Sequence, residues 1–309
     1  MTTRAPHILC AGITVIDHVF RVERFPQANT KTRAKDFRAV TGGCAANAAV
    51  AAARLGGRVR LATPLGDAAD PLSNDIVRRL EVEQVDCSPA VRVAGATAPI
   101  SAILVDASGE RLIVNRRDDM LARAQLPDPG GLIADADAVL IDNRFSYFVL
   151  PVAQAARQRG IPVLLDGDEP TDGSEAVLGA VSHIVFSADG LRATAQCADL
   201  ADGLRIVQER TKAQLAVSNG AEGALWLDAG RLERIPAFPV EAVDTLGAGD
   251  VFHGACVLAL AEGRNFPEAM RFAAAAAALK CLHFGGIAGA PGRAETERFL
   301  ARIGGEAGT

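Results

Sequence analysis

Four short apolar runs, at 138–142 (AVLID), 162–166 (PVLLD), 183–187 (HIVFS) and 214–218 (QLAVS), alternate with stretches of helical periodicity such as 150–159 and 199–211. Strands this short and this continuously apolar are buried on both faces. A parallel sheet covered by helices on each side, built from right-handed βαβ units, meets that demand. A further run at 8–13 (ILCAGI) supplies a first strand. The crowded small residues of AANAAVAAARL, stopped by Gly56-Gly57, predict a helix over about 43–56.

Segments at about 18–40 and 95–117 break this pattern. They alternate apolar and polar residues in period two, and Ala107-Ser108-Gly109 makes a hairpin turn between two strands of the second segment. Each such strand has one wet face, so the two segments are expected to form a small sheet projecting from the α/β body as a lid. The last third, 249–303, reads as mostly helical, and its alanine run at 273–278, framed by Phe272, Leu279 and Lys280, suits close helix packing. The expected organisation is therefore one α/β domain over 1–309, three layers deep (α/β/α) around a mostly parallel sheet, with the lid inserted in it.

With 32 Lys and Arg against 37 Asp and Glu, the formal charge is −5, which gives no electrostatic reason to bind nucleic acid or anionic lipid. No apolar run reaches the roughly 18–20 residues of a membrane helix. The opening MTTRAPHILCAGITVID is interrupted too soon by Asp17 to read as a secretory signal. The six cysteines are scattered with no CxxC pair, as suits reduced thiols. A soluble, cytoplasmic protein is expected.

The sharpest candidate for chemistry is Asp244-Thr245-Leu246-Gly247-Ala248-Gly249-Asp250, which opens a helix whose apolar face holds Phe252, Ala255, Cys256 and Ala259. A glycine-rich helix start leaves backbone N–H groups unpaired at the positive end of the helix dipole, a site for a phosphoryl group in transit. A carboxylate at its edge is repelled by bound phosphate but is well placed to take a proton from a hydroxyl attacking that phosphate. Asp250 fits that role; an ordinary first-turn aspartate is the alternative. Thr41-Gly42-Gly43-Cys44-Ala45-Ala46-Asn47 is a second glycine-led helix start. Its backbone approach at Gly42-Gly43 and the Asn47 amide suit a ligand with hydroxyls, with a plain tight turn as the alternative. Asp17 lies past the carboxyl end of the first strand, where α/β sheets bind ligands, or caps a turn there.

In combination, TGGCAANAAVAAARLGG and DTLGAGDVFHGA resemble, in order and content, the two signatures of the ribokinase-like (PfkB-type) carbohydrate kinases, and the resemblance covers essentially the whole chain. Within the family the likeness is greatest to the sulfofructose kinases, on AGITVID, GERLIVN, LLDGD and AALKCLHFGGIAG. The resemblance implies ATP and Mg2+ as cofactors, Asp250 as the base, and the backbone of Gly247, Ala248 and Gly249 as the anion hole. It implies that Asp17, Gly42, Gly43 and Asn47 hold sugar hydroxyls. Ser187, Ser218, Asn219, Gly220 and Gly223 would lie along the nucleotide, with 277–286 (Ala277, Lys280 and Gly285 among them) walling the adenine. A homodimer paired through the lid is likewise implied.

Two departures stand out. Many family members carry Asn-x-x-Glu after the strand at 183–187, whereas here the stretch is Ser187-Ala188-Asp189-Gly190, so the residues that organise magnesium are not assigned. Leu246 replaces the usual second Thr, which leaves a K+ site beside Asp244 open rather than implied. Lys31, Asn115 and Arg144 match positions that would surround the far end of a sulfofructose kinase substrate. Two cations and an amide converging there would suit a sulfonate or phosphate. The acceptor expected is thus the C1 hydroxyl of 6-deoxy-6-sulfofructose, with fructose, ribose and sugar 6-phosphates as alternatives. A nicotinamide enzyme is disfavoured because the first strand ends in a single glycine, and a P-loop kinase because the chain has no Gly-Lys dipeptide. A non-catalytic sugar-binding regulator on the same fold is the rival from another class.

Overall fold

The chain begins with a short strand, β1 (His7–Ala11), then β2 (Val15–Arg21), β3 (Asp36–Gly42), α1 (Cys44–Arg54), β4 (Arg58–Ala62), β5 (Pro64–Leu65), α2 (Pro71–Val82), β6 (Val85–Asp86), β7 (Val91–Arg92), β8 (Ile100–Val105) and β9 (Arg111–Arg116). There follow α3 (Pro129–Leu132), β10 (Ala138–Asp142), α4 (Ser146–Gln158), β11 (Val163–Gly167), α5 (Glu175–Ala180), β12 (His183–Ser187), α6 (Ala188–Ala195) and α7 (Leu200–Gln208). The chain closes with β13 (Gln214–Ser218), β14 (Ala224–Asp228), β15 (Arg231–Ile235), α8 (Ala248–Ala261), α9 (Phe266–Lys280) and α10 (Arg293–Glu306). These elements come from a computed structural model that describes residues 4–170 and 175–306.

The central sheet has the order β15-β14-β13-β12-β11-β10-β1-β4-β6 and is parallel except for the β14–β15 hairpin. Period two divides each strand between the two cores. Ile8, Cys10, Leu140, Leu164 and Val185 face α1, α8 and α9, while Leu9, Val139, Ile141, Leu165 and Phe186 face the helices α4 to α7. Burial on both sides is why these strands read as unbroken apolar runs. The hairpin β14–β15 was not foreseen: it is an edge with one wet side, so its apolar signal is diluted.

Small residues let α1 and α8 approach closely. A Cβ at Gly254 would press on the Ala48 carbonyl, which is why α1 is mostly alanine where it faces α8. Both helices begin at the carboxyl ends of the strands, where the site lies.

The lid is a four-stranded sheet of order β3-β2-β8-β9, with β2 and β8 parallel. Its buried face, Val19, Ile103 and Val105, packs on Val40, Leu246 and Phe284. The alternating segment at 18–40 holds most of β2 and nearly all of β3, which Pro26 and a turn closed by Thr30 N–H on Gln27 O separate. The single wet face expected of each lid strand does not hold for β9. All six of its residues are exposed, since β9 is an edge strand and one of its faces overlooks the open cleft.

Candidate active site

A cavity of about 1370 Å³ opens between the lid and the strand ends. Two helix starts form its floor. Gly43 (φ +95°) and Gly247 (φ +77°) each take a positive φ that a side chain would strain, and each turns the chain into a helix pointing its first amides at the cavity. The Ala248 amide is spent on Thr245 O at 3.2 Å. The first-turn amides of Gly249 and Asp250 have no helical carbonyl four residues back, and they remain for a ligand. A side chain at Gly249 would project into open space, where a ligand would have to sit.

Asp250 stands in that first turn and accepts a hydrogen bond from Asn47 Nδ2 of α1 at 2.6 Å, so the two motifs meet in one contact. Burial pushes the Asp250 carboxyl above the ordinary carboxylate range, against the pull of the Asn47 bond and of His253. Asp17, on β2, faces the same space. Burial raises it to about 6, with Ser101 opposing and the Asp250 charge adding to the rise. Gly42 does not line the cavity: a Cβ there would collide with the Asp17 carboxylate, so Gly42 makes room for Asp17 rather than touching a ligand.

Beneath the floor lies a polar layer that sequence reasoning missed. Asp142, at the end of β10, accepts N–H bonds from Ile13, Ala45 and Arg144 and so ties the β1–β2 loop and the start of α1 to the end of β10. Asp166, on β11, lies 3.3 Å from His253 Nδ1 of α8. Cys44, Asp166 and Asp250 offer ligand atoms within 4.8 Å of one another. They fit Mg2+ poorly. The thiol is a soft donor held protonated by burial, Asp166 is engaged by His253, and a magnesium ion keeps most of its waters.

Elsewhere along the cavity, Ser187, Ser218, Gly220 and Gly223 line it, and Ala277, Ala278, Cys281, Phe238 and Val240 make an apolar slot. The 237–240 wall had no signal in the sequence, because it is an irregular segment with no periodicity. Asn219 turns away to bond Glu222 at 2.9 Å. Lys280 does not wall the slot. It is fully buried, its Nζ 2.7 Å from Asp244 O and 3.5 Å from the Asp244 carboxylate, because an ammonium in an apolar helix packing must find oxygen partners. Gly285 likewise lies off the cavity and donates its N–H to Asp244 Oδ2 at 2.9 Å. Burial alone would raise Asp244; Lys280 and the amides of Leu246, Gly286 and Gly285 hold it below the usual range.

The three residues expected at the far end of a substrate part company. Asn115 and Arg144 line the cavity; Lys31 is exposed on the loop between β2 and β3, away from it. Arg144 is already neutralised by Asp168 (2.5 Å) and Glu169. Arg116 and Arg117, next to Asn115, line the same space. Arg116 pairs with Asp118, whereas Arg117 lies over the Phe145 ring and bonds Arg144 O, with no carboxylate partner among the described residues.

A cleft beneath a small sheet, a helix start with open amides and a buried carboxylate beside it fit an enzyme of phosphoryl transfer to a hydroxyl. Residues 5–293 match the family described as pfkB family carbohydrate kinase, and the chain belongs to that family. It is 30% identical over 301 residues to the ribokinase of Bacillus subtilis (96% of this chain, 99% of the relative). It is 28% identical to the ketohexokinase of Mus musculus (89% and 95%). A crystal structure of a candidate ribokinase from Agrobacterium tumefaciens superposes with a TM-score of 0.93 at 37% identity, covering 97% of this chain and 98% of the other. The protein is a sugar kinase. Among the described residues no helix is long and apolar enough to cross a membrane.

Proposed function

We propose that the protein transfers the γ-phosphoryl group of ATP to a hydroxymethyl group of a small sugar, with Asp250 taking the hydroxyl proton. The observation that carries this reading is the Asp250 carboxylate, fixed by Asn47 at 2.6 Å beside the open amides of α8. Asp17, Asn47 and the backbone at Gly43 hold acceptor hydroxyls. The strand-end loops at Ser187, Ser218 and Gly220–Gly223 receive the nucleotide, and the apolar slot receives its base. Mg2+ carried in on ATP would neutralise the charge of its phosphates. Lid closure excludes water, so transfer goes to the sugar rather than to hydrolysis. The exposed Leu112 and Val114, on the face of β9 turned away from the cleft, support a homodimer formed through the lid, which sedimentation at micromolar concentration would test.

For the acceptor we propose an anionic ketose phosphorylated at C1, with 6-deoxy-6-sulfofructose first. The support is the group Asn115, Arg116 and Arg117, with Arg117 free of a carboxylate partner among the described residues. Ribose is the second reading, favoured by the 30% identity to a ribokinase. Coupled turnover with 6-deoxy-6-sulfofructose, fructose 6-phosphate, fructose and ribose separates them. Arg117→Ala is expected to raise the KM of the anionic ketose about 10- to 100-fold, the worth of a charged hydrogen bond, and to leave the ribose KM unchanged. An unchanged KM for every anionic acceptor would remove the anionic tail.

The Lys280 ammonium against Asp244 supports independence from K+, since the position beside Asp244 already holds a tethered cation. Equal rates in potassium, sodium and choline salts at one ionic strength are expected. Strong activation by potassium alone would show that Lys280 does not do this work.

A further inference from the structure

His253 is 3% exposed, one turn past Asp250 on α8, and the chemistry above makes no use of it. Each of its two ring nitrogens faces a backbone carbonyl, which can only accept. Nδ1 lies 2.8 Å from Gly249 O and 3.3 Å from Asp166 Oδ2, and Nε2 lies 3.0 Å from Val185 O. A neutral imidazole carries one proton, so one of its nitrogens would present a lone pair to a carbonyl lone pair at about hydrogen-bond distance, in a site shut off from bulk solvent. A protonated Asp166 donating to a neutral Nδ1 leaves the same clash at Gly249 O. Only the imidazolium satisfies every contact.

We propose that His253 is a buried imidazolium, donating from both ring nitrogens and balanced by Asp166, that acts as a positioning residue: it locks the first turn of α8 to β11 and β12 and so sets the Asp250 carboxylate and the amides beside it. The inference rests on the reading of Asp250 as the base for its kinetic consequence, but not for the protonation state itself. The locked atom is the carbonyl of Gly249, whose own amide is one of those left for the transferring group. Val185 O fixes the other end of the ring to the sheet, so the anion hole is keyed to the strand that carries the nucleotide loop at Ser187.

The charged groups around this layer are few. Asp166 comes from β11, Asp250 from the same helix, Asp142 from β10, Asp168 from the loop after β11, and Arg144 from the loop after β10; the Cys44 thiol at the start of α1 is held protonated. Burial would lower the His253 pKa, but Asp166, the two carbonyls and Asp250 carry it above its ordinary value. Toward Asp250 the imidazolium acts in the opposite sense to burial and favours the ionised base.

The first test is nitrogen NMR of the intact protein labelled on histidine, with His253 assigned by its loss in His253→Gln. Both of its ring nitrogens are expected to remain protonated at pH 8, where an ordinary histidine of pKa about 6.5 is neutral. A neutral tautomer at pH 8 would overturn the proposal whatever the enzyme's kinetics. The second test is the pH profile of His253→Gln. Its acid limb is expected to move up by about one unit, so that kcat falls about tenfold at the acid side and recovers toward wild type at high pH. KM for both substrates should change little. A loss of kcat equal at every pH would mark a purely structural residue and defeat the positioning role. Should Asp250→Asn prove fully active, the base reading fails while the NMR result still stands or falls by itself.

Discussion

Asp250→Asn is expected to lower kcat by about 10²–10⁴-fold, the range in which a positioned general base contributes, while both substrates still bind. The substitution keeps the size of the side chain and an oxygen for Asn47 Nδ2 to donate to, so the floor of the cleft should hold its shape. What it removes is the ability to accept a proton from the attacking hydroxyl. Calorimetric affinities for ATP and sugar close to wild type, with turnover lost, would meet the expectation. More than a tenth of the wild-type kcat in the variant would sink the assignment. The pH dependence supplies a second check. Burial raises the Asp250 pKa, and the base works only when ionised, so activity in the wild type falls as pH drops through a value above the ordinary carboxylate range. Asp17, raised to about 6, adds to the same acid limb, because its neutral form loses its strength as an acceptor for a sugar hydroxyl. In Asp250→Asn the remaining slow turnover should keep only the limb that Asp17 sets.

The alternation of apolar runs and helices was enough to foresee the parallel sheet, because strands buried on both faces leave no polar positions to confuse the period. The four runs fall on β10, β11, β12 and β13 within one residue. The two glycine-led helix starts were legible for a related reason: a positive φ and an open backbone leave glycine as the fitting residue, and glycines clustered before a helix stand out. The layer beneath them was not legible. His253 looks like any residue of a small-residue helix, and Asp166 like the end of a strand; only the tertiary crossing of α8 over β11 makes them a pair. Lys280 misled in the same way. A lysine at the end of an alanine-rich helix suggests a surface charge or a ligand contact, yet here it closes inward on Asp244. Lys31 and Arg144 carried the right charge for an anionic substrate, but a charge is available to a ligand only if no neighbour has already taken it. Arg144 has Asp168 and Glu169, and Lys31 lies exposed on the β2–β3 loop, outside the cavity lining. Arg117, two residues on from Asn115, to which the sequence pointed, is cationic, cavity-facing and without a carboxylate partner among the described residues.

Lys280→Met is expected to destabilise the fold by about 3–5 kcal/mol, the cost of leaving one member of a buried ion pair without the other. Methionine matches the lysine stem in volume, so packing along α9 changes little, and the loss isolates the charge. Asp244 would keep the amides of Leu246, Gly285 and Gly286 but lose its cation in a site where it is 2% exposed. The pH dependence gives the mechanism its signature. In the wild type the folded-state pKa of Asp244 is depressed, so its contribution is present above the unfolded carboxylate pKa and disappears as pH falls through the lower folded value. In Lys280→Met burial prevails and the folded pKa rises. The penalty of that carboxylate is then full near neutral pH and shrinks as acid protonates it. Urea unfolding at pH 7.5 and pH 5 should therefore show the gap between variant and wild type narrowing at the lower pH. Lys280→Met combined with Asp244→Asn should recover part of the loss, since the amide can sit in the same cavity without a charge. A gap below about 1 kcal/mol, or one unchanged between the two pH values, would mean that Lys280 contributes through packing alone. A second readout follows from where the pair lies. Asp244 ties the loop before Gly247 to the Gly285–Gly286 turn, and that loop leads into the first turn of α8, whose Gly249 and Asp250 amides are the proposed anion hole. The folded variant should accordingly lose kcat more than acceptor affinity, because those amides meet the phosphoryl group most strongly as it transfers.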